Sequence, residues 1–153
     1  MFKGGLLEIF FIDILKLISQ RSGKSFTGIG ILLYDQKFFV NDYFSDLRPS
    51  YKPPKLNLIG KETIINYLLD ITDETNYLHD GFIFFNEIGN LTHVSQYFAP
   101  IPRGKIIPNE KYGTRYRTAQ YGSLLRGIIL TGTINHDKKY HIFRNGKCIN
   151  NHQ

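Results

Sequence analysis

The stretch Leu78-His79-Asp80-Gly81-Phe82-Ile83-Phe84-Phe85 decides how the rest of the chain is read. Four apolar, mostly aromatic residues from Phe82 onward predict a buried strand, and the polar residues before them mark where a loop delivers the chain into it. Side chains at such an entry are exposed. Asp80 is therefore suited to binding a divalent cation or polarising a hydroxyl, His79 to supplying a nitrogen ligand, and Gly81 to letting a flat ligand approach the backbone. An Asp-Gly pair at a strand boundary also reads simply as a turn, so the stretch gains meaning only with other signals.

Outward from it, the turn at Asn86 to Asn90 and the run Leu91 to Phe98 predict a second strand paired with the first. Upstream, Lys61 to Thr72 sets Ile64, Ile65, Leu68 and Ile71 at helical spacing, while Pro49, Pro53 and Pro54 make Asp46 to Asn57 a loop. Ile29 to Tyr34, the turn Asp35-Gln36 and the run Lys37 to Val40 predict another β-hairpin. At the start of the chain, Glu8, Asp13, Lys16, Ser19 and Gln20 fall on one side of a helical wheel. Leu7, Phe10, Phe11, Ile14, Leu17 and Ile18 fall on the other, as expected for a helix packed on the domain's own sheet, with a subunit interface or a membrane surface as the alternatives. Downstream of a loop carrying Pro100, Pro102 and Pro108, Thr114 to Leu125 suits a helix. Gly127 to Thr133 suits a buried strand, and Tyr140 to Phe143 a last strand turning at Asn145-Gly146.

A chain of 153 residues suits one hydrophobic core, and 42% apolar with 21% charged residues lies in the globular range. Cys148 is the single cysteine, so neither an internal disulfide nor a thiolate metal cluster can form, which fits a reducing compartment. Glu8, Asp13 and Lys16 interrupt the first apolar run, and no small-residue cleavage site follows, so a soluble cytoplasmic protein without a membrane span is expected. A formal net charge of +6 favours a polyanionic partner without naming it. The basic residues are scattered rather than striped, so nucleic acid is not expected as the partner.

The second informative stretch is Gly113-Thr114-Arg115-Tyr116-Arg117-Thr118-Ala119. A glycine-led turn opens a helix with two arginines in its first turn, where free backbone N–H groups and the helix dipole attract phosphate and the guanidinium groups add charge-assisted hydrogen bonds. Cations oppose the dipole there, and a bound anion would relieve the conflict. A solvated charged turn is the plainer alternative.

Together the two stretches resemble the diadenylate cyclase domain, the nucleotide-cyclising domain also found at the N-terminus of the bacterial DNA-integrity scanning protein. That family carries Leu-His-Asp-Gly-Ala entering a strand, a proline-containing loop, and then Gly-Thr-Arg-His-Arg opening a helix. The resemblance extends to Thr27-Gly28-Ile29-Gly30-Ile31 and to Arg144-Asn145-Gly146. It implies a single α/β domain with a central mixed β-sheet flanked by helices, whose nucleotide-binding part spans residues 22–147. Residues 1–21 form an N-terminal helix of the same domain, and 148–153 a tail.

The resemblance further implies condensation of two ATP molecules into cyclic di-AMP with release of pyrophosphate, by a homodimer or higher oligomer whose subunits meet face to face, with Mg²⁺ or Mn²⁺. Asp80, with His79 beside it, would bind the metal, and Asp80 would help activate the ribose 3′ hydroxyl. Gly81 and Phe82 would border the nucleoside. Gly113, Thr114, Arg115, Tyr116, Arg117 and Thr131 would hold the nucleotide, Arg117 also serving the chemistry. Tyr97, Phe98 and Pro100 border a loop that in the family passes near the base, and either stack there or pack in the core. His93 and His141 lie in predicted strands and are assigned no role.

Three positions depart from the family. Phe82 stands where it has alanine, a ring that either stacks on adenine or narrows the pocket. Tyr116 replaces the histidine between the arginines, losing a group that titrates near neutrality. The family's Ser-Glu pair aligns with Thr131-Gly132 or Thr133-Ile134, leaving Asp137 and Glu110 as candidate replacements for the carboxylate. The alternative is a catalytically degenerate member of the same fold that binds or senses ATP or a cyclic dinucleotide.

Overall fold

The structure, a computed structural model, describes residues 4–39, 41–102, 106 and 111–150. Its elements in chain order are α1 (Gly4–Arg21), β1 (Ile29–Tyr34), β2 (Phe44–Asp46), α2 (Lys61–Ile71), β3 (Phe82–Asn86), β4 (Leu91–Phe98), α3 (Thr114–Gly122), β5 (Ile128–Ile134), β6 (Tyr140–Arg144) and β7 (Lys147–Cys148). The strands form one seven-stranded mixed sheet in the order β2-β4-β3-β1-β5-β6-β7. Only β1 and β3 run parallel, and every other neighbouring pair is antiparallel.

All six residues of β1 are buried because both faces of this strand are covered. Ile29, Ile31 and Leu33 join Phe11, Ile14, Leu15 and Ile18 of α1 and Ile64, Ile65 and Leu68 of α2 in one cluster. Leu32 and Tyr34 point the other way, into a smaller cluster with Phe82, Phe84, Phe98, Ala119 and Phe143 under α3. The helix at the start of the chain therefore packs on the domain's own sheet, as its periodicity predicts. Leu15, which the helical wheel did not single out, is among its fully buried residues. Among the described residues, no helix is long and apolar enough to cross a membrane.

The expected hairpin between Ile29–Tyr34 and Lys37–Val40 does not form. Both edges of β1 are claimed, one by β3 and the other by β5. Residues after Tyr34 instead fold into a turn, with the Phe38 and Phe39 N–H groups both donating to the Asp35 carbonyl at 3.0 Å, while Val40 lies outside the described residues. The strand that this segment does feed, β2, lies on the far edge of the sheet beside β4. The helix expected to run to Leu125 stops at Gly122, where the Ser123 N–H closes on the Ala119 carbonyl at 3.0 Å.

Candidate functional site

Parallel pairing of β1 with β3, and antiparallel pairing of each with β5 and β4, brings the start of β1, the entry to β3, the end of β4 and the end of β5 to one end of the sheet. At that end the first turn of α3 overhangs the sheet. Between them lies a cleft of about 640 Å³, whose walls include Asp80, Gly81 and Phe82 on one side and Gly113, Thr114, Arg115 and Arg117 on the other. The two sequence stretches, more than 30 residues apart, therefore meet across one hollow.

The loop that presents Asp80 is held rigidly. Arg48 donates to the carbonyls of His79 at 2.8 Å and Tyr77 at 3.3 Å, and the Asn76 side chain accepts from the Leu78 N–H at 2.9 Å. Asp80 adopts a left-handed backbone, φ 72°, followed by Gly81 at φ 77°. An aspartate tolerates this conformation because its short carboxylate bonds locally, here accepting from the Gly81 N–H at 2.8 Å. Glycine is required next, since a side chain at 81 would meet the Gln96 carbonyl at 2.8 Å.

Arg115 reaches across the cleft, its Nη2 donating to Asp80 Oδ1 at 2.9 Å. Its guanidinium lies on Gly28, where a Cβ would come within 2.4 Å of Nη1. The glycine of Thr27-Gly28-Ile29 thus makes room for an arginine that is distant in sequence. Burial by itself pushes the Asp80 carboxyl up. The Gly81 N–H, the Arg115 hydrogen bond and charge, and nearby His79 outweigh it and hold the group below the usual carboxylate range.

On the opposite wall α3 begins at Gly113 without a side-chain cap, so its first N–H groups are left to water or a ligand. Arg117 is exposed on the cleft, and its guanidinium has no hydrogen bond or ion pair among the described residues. The wall is fixed from behind: Thr131 Oγ1 donates to the Ala119 carbonyl at 2.6 Å, Gln120 Nε2 to the Gly146 carbonyl at 3.0 Å, and the Gly146 N–H to Ser123 Oγ at 2.8 Å.

Three residues expected at the ligand lie elsewhere. Thr131 is fully buried beneath α3 and is spent on that helix bond. Tyr116 turns away from the cleft, stacking on Tyr112 at 4.0 Å and meeting Phe143 edge-on at 4.7 Å. Burial, with Cys148 and Tyr112 nearby, pushes its phenol up to about 12, so it stays a neutral hydroxyl. His79 does not line the cleft, and its Nδ1 pairs with the Asn76 carbonyl at 2.7 Å.

Phe82 is on the cleft floor but only 5% exposed. Its ring fills the space over Gly30, where a Cβ would lie 2.4 Å from it, and meets Phe98 at 5.2 Å. The ring therefore serves mainly as core. Gly132 faces Leu15 and Phe11 of α1, and Ile134 belongs to the core beneath that helix, so neither alignment of the Ser-Glu pair puts a carboxylate in the cleft. Asp137 is exposed on the turn after β5, off the cleft wall, and Glu110 lies outside the described residues.

No group of three or more His, Cys, Asp or Glu side chains that could cage a metal occurs among the described residues. Asp80 Oδ2 nevertheless has no protein partner among them. One carboxylate completed by water and phosphate oxygens is a common way to hold Mg²⁺, so the residues suit a metal that arrives with a nucleotide rather than a resident one.

Sequence reasoning missed Leu47, Gln96, Tyr112, Thr118 and Tyr121 on the cleft wall, and Arg48 behind it. Gln96 reaches the wall through an irregularity in the β3–β4 pairing, with Ser95 at φ 54°. Its Nε2 donates to Asp46 Oδ1 at 3.0 Å.

No family model matches this chain, and no curated protein sequence does. Solved structures do match in fold. A hypothetical membrane spanning protein from Bacillus cereus superposes with a TM-score of 0.66 at 17% identity over 92% of this chain, which spans 61% of the length of that structure. A double mutant of DacA from Staphylococcus aureus superposes with a TM-score of 0.62 at 16% identity, covering 94% of this chain and 85% of that one. The chain thus is a single α/β domain with a seven-stranded mixed sheet flanked by helices, similar in fold to DacA. At these identities the likeness is one of fold alone, and it does not single out the DNA-integrity scanning protein.

Proposed function

We propose that this chain condenses two ATP molecules into cyclic di-AMP, two copies meeting face to face so that each 3′ hydroxyl attacks the α-phosphorus of the facing nucleotide and two pyrophosphates leave. The observation that carries the reading is the shared cleft, with an ionised carboxylate on one wall and an unpaired guanidinium beside an uncapped helix start on the other. The fold likeness to DacA, a diadenylate cyclase, supports the same reading.

Phosphoryl-type transfer asks for positioning and charge neutralisation more than for covalent chemistry. Arg117 and the first N–H groups of α3 face the phosphates, while exposed Tyr97, with Ala99 and Pro100, offers a face to the purine. A Mg²⁺ or Mn²⁺ ion would be held by Asp80 and would supply charge neutralisation at the phosphates. Because its carboxyl lies below the usual range, Asp80 is a weak base and is better suited to a cation than to taking a proton.

The test is mass spectrometry of the products after incubating the full chain with ATP and either metal. Cyclic di-AMP and pyrophosphate are the expected outcome. Tight ATP binding with no product over hours would reassign the chain as a nucleotide sensor, and no binding at all would remove the nucleotide from the account.

A further inference from the structure

The two arginines at the start of α3 occupy different electrostatic situations. Arg115 is already committed: its side chain is 27% exposed, it bonds Asp80 Oδ1 at 2.9 Å, and its guanidinium is seated on Gly28. Arg117, two residues on, is exposed on the cleft, its guanidinium without a hydrogen bond or ion pair among the described residues. A phosphate entering the cleft meets a free guanidinium first. Drawing Arg115 away as well would strip a charge-assisted bond from a half-buried carboxylate and vacate a seat that fits it.

The donors around Asp80 are also unevenly shared. Both the Gly81 N–H and Arg115 Nη2 reach Oδ1, and nothing among the described residues reaches Oδ2. A carboxylate tethered through one oxygen presents the other in a fixed direction, which is what an outer partner does for a metal ligand.

We infer that Arg115 is a positioning residue for Asp80, orienting its free Oδ2 toward a nucleotide-borne divalent cation, and that phosphate binding at the start of α3 falls to Arg117. This inference rests on the nucleotide reading above but reverses the role that the family resemblance gives Arg115. Gly28, which its φ of 102° and the nearby Ile134 carbonyl already require to be glycine, leaves the room that the guanidinium occupies.

The experiment is isothermal titration of the full chain with a non-hydrolysable ATP analogue, with and without Mn²⁺, alongside Mn²⁺ titration followed by electron paramagnetic resonance at saturating analogue. Arg115→Gln should weaken Mn²⁺ binding by about tenfold or more and leave metal-free analogue affinity near wild type. Arg117→Gln should do the reverse. Arg115→Lys, which keeps the ion pair, should recover much of the Mn²⁺ affinity, a rescue that a merely structural role would not produce. Should Arg115→Gln be too unstable to titrate, Arg115→Lys against wild type carries the same comparison with a smaller shift. The inference is overturned if Arg115→Gln lowers metal-free analogue affinity as much as Arg117→Gln does with Mn²⁺ binding unmoved. A wild-type chain that binds no analogue at all overturns the nucleotide reading and this inference together.

Discussion

The two faces of the sheet are built on different principles. One is sealed by α1 and α2 over a largely aliphatic cluster in which Phe11, Ile14, Leu15, Ile18, Ile64 and Phe85 are fully buried. The other is aromatic and, among the described residues, carries only the helix α3, nine residues long with just Ala119 and Gly122 buried. Gly122 lets that helix sit directly on the Phe98 ring, where a Cβ would come within 2.4 Å. So short a helix gains little from burial and is instead pinned by side-chain hydrogen bonds from β5 and the β6–β7 turn. Stability concentrated on the sealed face leaves the other free to stay open, with a charged carboxylate and an unpaired arginine at its edge.

The contrast is sharpest in a core deletion. Phe85→Ala on the sealed face should cost about 3–5 kcal/mol in urea unfolding, whereas Tyr97→Ala, bordering the cleft and 56% exposed, should stay within about 0.5 kcal/mol. Equal losses would break the distinction between the faces.

Next in size, Asp80→Asn should slow pyrophosphate release from ATP by about 100-fold or more. Its thermal midpoint should hold, because asparagine also tolerates the left-handed backbone at this position. Unchanged turnover would remove Asp80 from the chemistry.

A smaller effect is expected beneath α3. Thr131→Val removes one of the two donors to the Ala119 carbonyl, the Ser123 N–H remaining, and should cost about 0.5–1.5 kcal/mol in the same unfolding measurement, with nucleotide affinity by calorimetry near wild type. A large loss of affinity at unchanged stability would return Thr131 to the ligand site.

The smallest effect is in pH. His93 and His141, both against the aromatic cluster of the open face, titrate below the ordinary histidine value, burial being the first cause in each. As pH falls through about 6.5 the unfolded chain takes up protons before the folded one does, so stability should drop between about pH 7 and about pH 5. His141→Phe should flatten that slope in a thermal scan, and an unaltered slope would discharge His141 from it.

Much of this architecture was legible in short-range pattern. The β3–β4 hairpin, the period of α2, the amphipathic α1 and the Asn-Gly turn before β7 each depend on residues close in sequence, and each formed as read. The pairing of β1 was misread, because an evenly apolar run records that a strand is buried without recording beside what. β2 escaped notice because three residues carry no period. In the candidate site, Asp80 and the arginines stood out by chemistry, whereas Gln96 and Tyr121 look like ordinary strand and helix residues until the sheet brings them to the cleft.

The sequence by itself determined which residues bear charge at a strand's entry and a helix's start, since chemical type and local backbone preference are properties of neighbours along the chain. Only the tertiary structure decided that Arg115 grips Asp80 while Arg117 stays free, that Tyr116 and Thr131 face inward, and that Phe82 fills the space over Gly30. Those outcomes depend on which strands lie side by side and how far α3 overhangs them. Distances of a few ångströms between segments tens of residues apart are set by the packing of the whole sheet.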